Sequence, residues 1–264
     1  MTELQHLQKV ILEIVKDIDD LCKRNNIEYY LFGGSAIGSV RHNGFIPWDD
    51  DLDIVMDYHN YEKFINVCRT QLDADKYYFQ QALIDWPMLY SKVRLKGTVF
   101  EEPGAYGEDI TKRGIFVDVF KLDNAPSSSF LRRWQYVCGK YFLSYALLQR
   151  GYKEASFMKK VLMYSSYPLK FKPLYLFFAH QLVKYNHQKT DMFVSFGARF
   201  RYKHSFFRKD LFSNPIYLPF DNIQLPVPEK YDELLSQLYG DYMTPPPKEQ
   251  QIGSHLIRID FGKY

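Results

Sequence analysis

The sequence predicts a mixed α/β fold, a small β-sheet flanked by helices, with an added, mainly helical, basic subdomain. Three observations predict it. Short β-rich runs alternate with helical stretches as far as Phe120. A glycine pair, Gly33-Gly34, stands where a strand pattern gives way to a helical one. Charge is segregated: residues 131–209 hold 16 Lys+Arg and 2 Asp+Glu, a net of +14, while the rest of the chain carries −11. The 264 residues, 46% of them hydrophobic, suffice for one large core. The expected organisation is a catalytic core at 1–125, a basic aromatic helical insert at 126–210, and a C-terminal return at 211–264 that packs on the core.

Leu4, Leu7, Ile11, Ile14, Val15, Ile18 and Leu21 recur at intervals of three and four, so an amphipathic helix is expected up to Asn25-Asn26. Residues 27–32 read as a strand and 35–41 as a short helix entered through the glycines. Asn43-Gly44 is a turn signal, and Pro47 restricts the chain before an acidic cluster. A second strand is expected at 51–56, a helix at 61–72, strands at 77–81 and 88–95, and a loop at 96–111. The run 114–120, GIFVDVF, reads as a strand with Asp118 alone among apolar residues. A linker follows at 123–129, then several helices to about Lys203, broken by Pro168 and Pro173. Residues 213–228 read as extended and 231–239 as a helix stopped by Gly240; the tail from Thr244 shows little order signal.

The acidic cluster carries the chemistry. On a strand, residues i and i+2 share a face, so Asp51 and Asp53 are expected to project together, and Asp50 to point the other way. Asp49 reads as a loop or capping acid. Two carboxylates a few Å apart repel each other, and a divalent cation relieves them. Oxygen-only ligands favour Mg²⁺ or Mn²⁺. The glycine turn nearby lets backbone N–H groups approach a phosphate. Metal and phosphate together indicate chemistry on a nucleotide or another phosphate ester. Asp118 is either a strand acid facing water or a third carboxylate of the same site.

The stretch GGSAIGSVRHNGFIPWDDDLDIVM resembles the signature of the LicD family, the phosphorylcholine transferase or fukutin-related family. CKRNNIEYYLFGG, SKVRLKGT, GIFVDVFKLDNAP and LPFDNIQLPVPEKYDELLSQLYGDYMTPPP resemble family segments in the same order, so the likeness spans essentially the whole chain. It implies a nucleotidyltransferase-like fold whose small mixed sheet carries the glycine turn and the acidic strand. It also implies transfer of a phospho-alcohol, phosphocholine foremost, from a CDP-linked donor such as CDP-choline to a sugar hydroxyl. The acceptors it implies are cell-surface glycans: lipopolysaccharide, teichoic acid or a capsule precursor. Donors vary within the family, eukaryotic relatives using CDP-ribitol, so the donor alcohol is inferred by analogy.

Under that likeness Asp51 and Asp53 are the metal pair, and Asp118 is a further ligand or the acceptor of the attacking hydroxyl's proton. Gly33, Gly34 and Ser35 are expected to present N–H groups and a hydroxyl to the donor's phosphates. Arg41 offers a fork to phosphate. His42 is a site residue or a surface turn residue. Trp48 stacks on a base, boxes a quaternary ammonium, or packs the loop. Lys92 and Arg94 share a strand face and either neutralise donor phosphates or face solvent. His255 lies where relatives carry a histidine.

Other readings narrow the class. Three scattered cysteines with no CxxC or His/Cys cluster argue against zinc and disulfides, and fit a reducing, cytosolic compartment. The first twenty residues read as a helix rather than a leader, and no run of about 18 apolar residues suggests a membrane span. The basic tract 131–209 suits an anionic membrane surface or a lipid-linked acceptor, placing the protein peripherally at the inner face of the membrane. Without a recognised docking motif, nucleic acid is not expected. An NTP-dependent nucleotidyltransferase and a binding protein with a retired site are the alternatives. A DxD glycosyltransferase does not suit the GGS turn and the third acid.

Overall fold

The computed structural model describes residues 1–102, 112–152, 156–198, 200–253 and 257–264. Helix α1 (Glu3–Arg24) starts in a capping box between Thr2 and Gln5 and buries Leu7, Ile11, Ile14, Val15 and Ile18. Strand β1 is only Tyr30–Leu31, shorter than the expected 27–32. The reason is local: the N–H of Glu28 bonds the Asn60 side chain instead of a neighbouring strand. Then come α2 (Gly33–Ile37), which runs into a π-helical turn at Gly38–His42, β2 (Asp53–Asp57) and α3 (Tyr58–Gln71). Asp57 caps α3 through the N–H of Asn60 at 2.8 Å, which starts the helix before the expected Tyr61.

Strands β3 (Tyr77–Gln80), β4 (Ser91–Leu95), β5 (Val99–Glu101) and β6 (Phe116–Ala125) follow. Helices α4 (Ser129–Gln149), α5 (Phe157–Ser165) and α6 (Lys172–Val183) make up most of the basic tract. The remainder is β7 (Met192–Ser195), α7 (Tyr202–Ser205), β8 (Phe206–Arg208), the hairpin of β9 (Pro215–Phe220) and β10 (Ile223–Pro228), α8 (Tyr231–Tyr239) and β11 (Arg258–Asp260).

Seven strands form one mixed sheet in the order β1-β2-β6-β4-β3, with β7 also on β6 and β8 on β7. β6 runs parallel to β2 and antiparallel to β4 and β7. Three expectations are corrected here. The segment read as a linker from 123 is still strand, because Leu122 to Ala125 pair with β7. The tract read as mainly helical also supplies β7 and β8 to the main sheet. The tail read as unordered returns as β11 against β5, inside the span expected to be loop.

One sheet face, through Ile54, Met56, Val93, Val117 and Val119, packs on α1 and α3. Residues like these each contribute roughly 1.5–3 kcal/mol on full burial. The other face, through Val55 and Phe120, packs with Phe32, Phe207, Leu234 and Leu238. A third apolar cluster joins Ala125, Cys138, Phe142, Leu182 and Phe196 between the sheet and α4 and α6. Buried polar groups fix that seam: Gln135 Nε2 donates to the carbonyls of Asn124 and Leu182, and Asn124 N–H to Asn186 Oδ1. Since side chains alternate, Asp53 with Val55 and Asp118 with Phe120 lie on the face away from α1 and α3.

Candidate active site

Four strands build the floor in register. Asp53 on β2 pairs with Asp118 on β6, Asp118 with Lys92 on β4, and Lys92 with Gln80 on β3. The carboxylates of Asp53 and Asp118 therefore stand side by side, and that of Asp51 joins them with ligand oxygens all within 4.8 Å of one another. The convergence has a different cause from the one expected. β2 begins at Asp53, so Asp51 reaches the site from the irregular lead-in and not by strand alternation. Asp50 is buried, and one of its carboxylate oxygens lies within 4.8 Å of those of Asp49 and Asp51.

Burial, then the carboxylates of Asp51, Asp118 and Asp49, holds Asp53 well above the usual carboxylate range. Asp118 is pushed up to about 6, burial outweighing the opposing pull of Lys92. Crowded carboxylates of this kind are relieved by a divalent cation. Three oxygen donors in reach of one point fit Mg²⁺ or Mn²⁺.

The glycine turn is shaped by these acids. Gly33 has φ +58°, a conformation that favours glycine, and a Cβ there would lie 3.2 Å from the Tyr239 hydroxyl and 3.5 Å from Asp53 Oδ2. A Cβ on Gly34 would lie 2.8 Å from Asp49 Oδ2, so its lack of a side chain admits that carboxylate. Ser35 Oγ is buried and accepts the N–H of Asp53 at 2.8 Å, which fixes the start of β2.

The expected basic residues divide between the floor and the C-terminal segment. Lys92 and Arg94 are buried, which excludes a solvated strand face. Lys92 Nζ is 2.8 Å from Asp118 and 3.2 Å from Glu102; Arg94 is 3.2 Å from Glu102 and bonds Gln80 and the Gly114 carbonyl. Their charge thus underlies the carboxylates. Arg41 donates to the Tyr242 carbonyl and to His42, tying the π-helical turn to the C-terminal segment. Trp48 packs against the main core and meets His42 edge-on. His255 lies outside the described residues.

A cleft of about 450 Å³ opens above the floor, lined by Asp51, Asp53, Asp118, Glu102 and Arg150. Its remaining wall is largely aromatic, with Phe32, Tyr90, Phe120, Tyr152, Phe200 and Tyr239. Glu102, Arg150 and Tyr239 were not singled out from sequence. Burial would raise Glu102, but Lys92, Arg94 and Arg150 together bring it down to about 2, so it stays ionised. Tyr239 places its hydroxyl beside the acids, and burial with the charges of Asp53, Asp49 and Asp51 suppresses its ionisation. Tyr239 ends the helix expected at 231–239, in one of the segments that carry the family resemblance.

The arrangement is an acidic, oxygen-lined cleft with an aromatic wall, suited to a metal-bound phosphate ester carrying an organic group. Residues 26–128 match the family model described as LicD/FKTN/FKRP, nucleotidyltransferase domain. That span runs from before β1 to the end of β6 and contains Asp51, Asp53 and Asp118. Over 266 aligned residues the chain is 29% identical to "Lipopolysaccharide cholinephosphotransferase LicD" of Haemophilus influenzae, covering 96% of each protein. It is also 32% identical over 84 residues to an uncharacterised protein of Rickettsia typhi, covering 32% of this chain and 22% of that one. The signature, the mixed sheet and the near full-length likeness agree with the family match: residues 26–128 carry a LicD-family domain, and the whole chain is similar to a LicD protein.

Proposed function

We propose that this protein transfers phosphocholine from CDP-choline to a hydroxyl of a cell-surface glycan. The observation that carries the reading is the convergence of Asp51, Asp53 and Asp118 in one cleft, within a chain 29% identical over 96% of its length to a cholinephosphotransferase. Those three carboxylates would hold Mg²⁺ or Mn²⁺, which supplies charge neutralisation for the donor's pyrophosphate and the departing CMP. The acceptor oxygen attacks the distal phosphorus in line, the bond to the bridging oxygen breaks, and CMP leaves with that oxygen. Asp118, with its pKa near 6, either completes the ligand set or takes the hydroxyl proton. Lys92 holds Asp118 in place, and Tyr239 offers a hydroxyl donor at the glycine turn.

The relative is named for lipopolysaccharide; teichoic acid and capsule precursors are the other acceptor classes of the proposal. The acceptor of this proposal is lipid-linked, and the basic tract 131–209 supports a peripheral position at the inner face of the membrane. Among the described residues no helix is long and apolar enough to cross a membrane.

The test incubates the protein with Mg²⁺ or Mn²⁺, a glycan acceptor and a panel of CDP-alcohols and NTPs. CMP released fastest from CDP-choline is the expected result. Pyrophosphate from an NTP with no CMP from any CDP-alcohol would mean a nucleotidyltransferase and overturn the proposal. Asp53→Asn is expected to abolish CMP release in a protein that still folds.

A further inference from the structure

We propose that the outer surface of α4, α5 and α6 docks on an anionic bilayer by inserting its apolar side chains at the headgroup–acyl boundary. Helix α5 is inverted relative to an ordinary surface helix. Its one buried side chain is Met163, while Phe157, Met158, Val161 and Leu162 share the opposite arc at i, i+1, i+4 and i+5. All four are exposed, Phe157 and Met158 by 76%. Lys159 and Lys160 flank the buried side, where their ammonium groups reach headgroup level when the apolar arc enters the lipid.

Helix α4 continues the surface with Phe130, Trp134 and Val137, exposed at i, i+4 and i+7. Direct contacts join the three helices. Trp134 Nε1 donates to Gln181 Oε1 of α6 at 3.2 Å, Tyr141 packs on Phe178 of α6 with centroids 5.0 Å apart, and the Tyr141 hydroxyl donates to the Ser165 carbonyl ending α5. On α6, Leu176 and Phe177 are exposed as well. Three adjoining helices thus leave many large apolar side chains in water, which soluble monomers rarely do.

Charge selects the occupant. Residues 129–184 hold 10 Lys+Arg and one acid, Glu154. A second copy of this chain would set the same positive surface against itself, whereas an anionic bilayer offers negative headgroups and an apolar interior together. Arg150 and Tyr152, at the end of α4, line the cleft, and α5 is the next helix in the chain. A lipid-anchored acceptor would then reach the acids from the bilayer. The inference rests on the reading of the acceptor as lipid-linked, and not on the identity of the donor.

Flotation of the full chain tests it, using vesicles of phosphatidylcholine alone and with phosphatidylglycerol, at low and high NaCl and without substrate. The wild type is expected to float with phosphatidylglycerol vesicles and to keep part of that binding at high salt. The variant Phe157→Glu/Met158→Glu/Val161→Glu is expected to lose at least tenfold in bound fraction with an unchanged melting temperature. Absent flotation, flotation equal in the variant, or complete loss at high salt would overturn insertion. So would a dimer on gel filtration that the variant splits. CMP release from CDP-choline in detergent, measured on the same preparations, separates failure of docking from failure of the reaction.

Discussion

The ammonium of Lys92 sits 2.8 Å from the Asp118 carboxylate, with side-chain exposures of 0% and 9%. Strand register makes the pair, since Lys92 and Asp118 are direct partners across β4 and β6. The same ammonium is 3.2 Å from Glu102 and 3.2 Å from the centroid of the Phe116 ring. Lys92→Met keeps the length of the side chain and removes the charge, leaving two buried carboxylates with Arg94 as their nearest support. Removing one partner from a buried pair costs about 3–5 kcal/mol. Urea unfolding is expected to show a loss at the lower end of that range, because Arg94 still holds Glu102. A loss under 1 kcal/mol would show that Asp118 does not depend on Lys92.

Glu102 gives the fold a definite acid response. Its carboxyl, at about 2 in the folded protein, lies below the usual value of 4.5. A depressed carboxyl contributes stability that is complete above the unfolded value and fades as pH falls through the folded one. The window is therefore about pH 4.5 down to 2. Glu102→Gln lacks this contribution throughout and should be clearly less stable than wild type at pH 6. The gap between the two proteins should shrink as pH drops through the window. Denaturant titrations at several pH values measure it, and a gap independent of pH would refute the assignment.

What sequence made legible, and what it did not, follows from the range of each interaction. Asp51, Asp53 and Asp118 stood out because their acidity contrasts with apolar strands beside them. Helix α1 was legible over nearly its full length because its stripe and its cap are local. Strands β7 and β8 were not, since three or four residues inside a basic tract carry no period of their own: β7 forms by pairing with the end of β6, and β8 by pairing with β7. The burial of Lys92 and Arg94 was hidden for a related reason. Their common partner Glu102 lies in a stretch with no periodicity, and only the folded sheet brings it beneath them. The expected pairing of Asp51 with Asp53 was right in outcome and wrong in cause, because a strand boundary was placed two residues early.

Metal binding should stabilise the wild type and leave Asp53→Asn nearly unchanged. Burial, with the neighbouring carboxylates, raises the carboxyl of Asp53, so its ionisation opposes folding at neutral pH in the absence of metal. Asp53→Asn removes one of the repelling charges, and its metal-free form should melt at or above the wild-type temperature. Added Mn²⁺ or Mg²⁺ should raise the wild-type melting temperature, by about 2.7 kcal/mol of stabilisation at a hundredfold excess over Kd. The variant should show little rise. Equal rises in both proteins would place the metal away from Asp53.

Tyr239 is the sharpest probe of the glycine turn. Its hydroxyl and Asp53 Oδ2 both approach the space above Gly33, at 3.2 and 3.5 Å from where a Cβ would stand. The ring is half exposed, so Tyr239→Phe removes a hydroxyl without opening a cavity, and stability should stay within about 0.5 kcal/mol of wild type. Burial and the neighbouring carboxylates keep the phenol protonated at any working pH, so it can act only as a neutral donor. A donor to a charged group contributes roughly 1.5–3 kcal/mol, which corresponds to a rate loss of about ten- to a hundredfold. The loss should fall on kcat rather than KM if the bond forms to the phosphoryl group as it transfers. Gly33→Ala should reproduce the kinetic defect, because its methyl would displace the same hydroxyl, and should add a stability cost of about 1–2 kcal/mol for a side chain in the left-handed region. Steady-state kinetics and melting curves of the two variants distinguish a working hydroxyl from a merely packed ring: full activity in Tyr239→Phe alongside a defective Gly33→Ala would assign the effect to backbone strain alone.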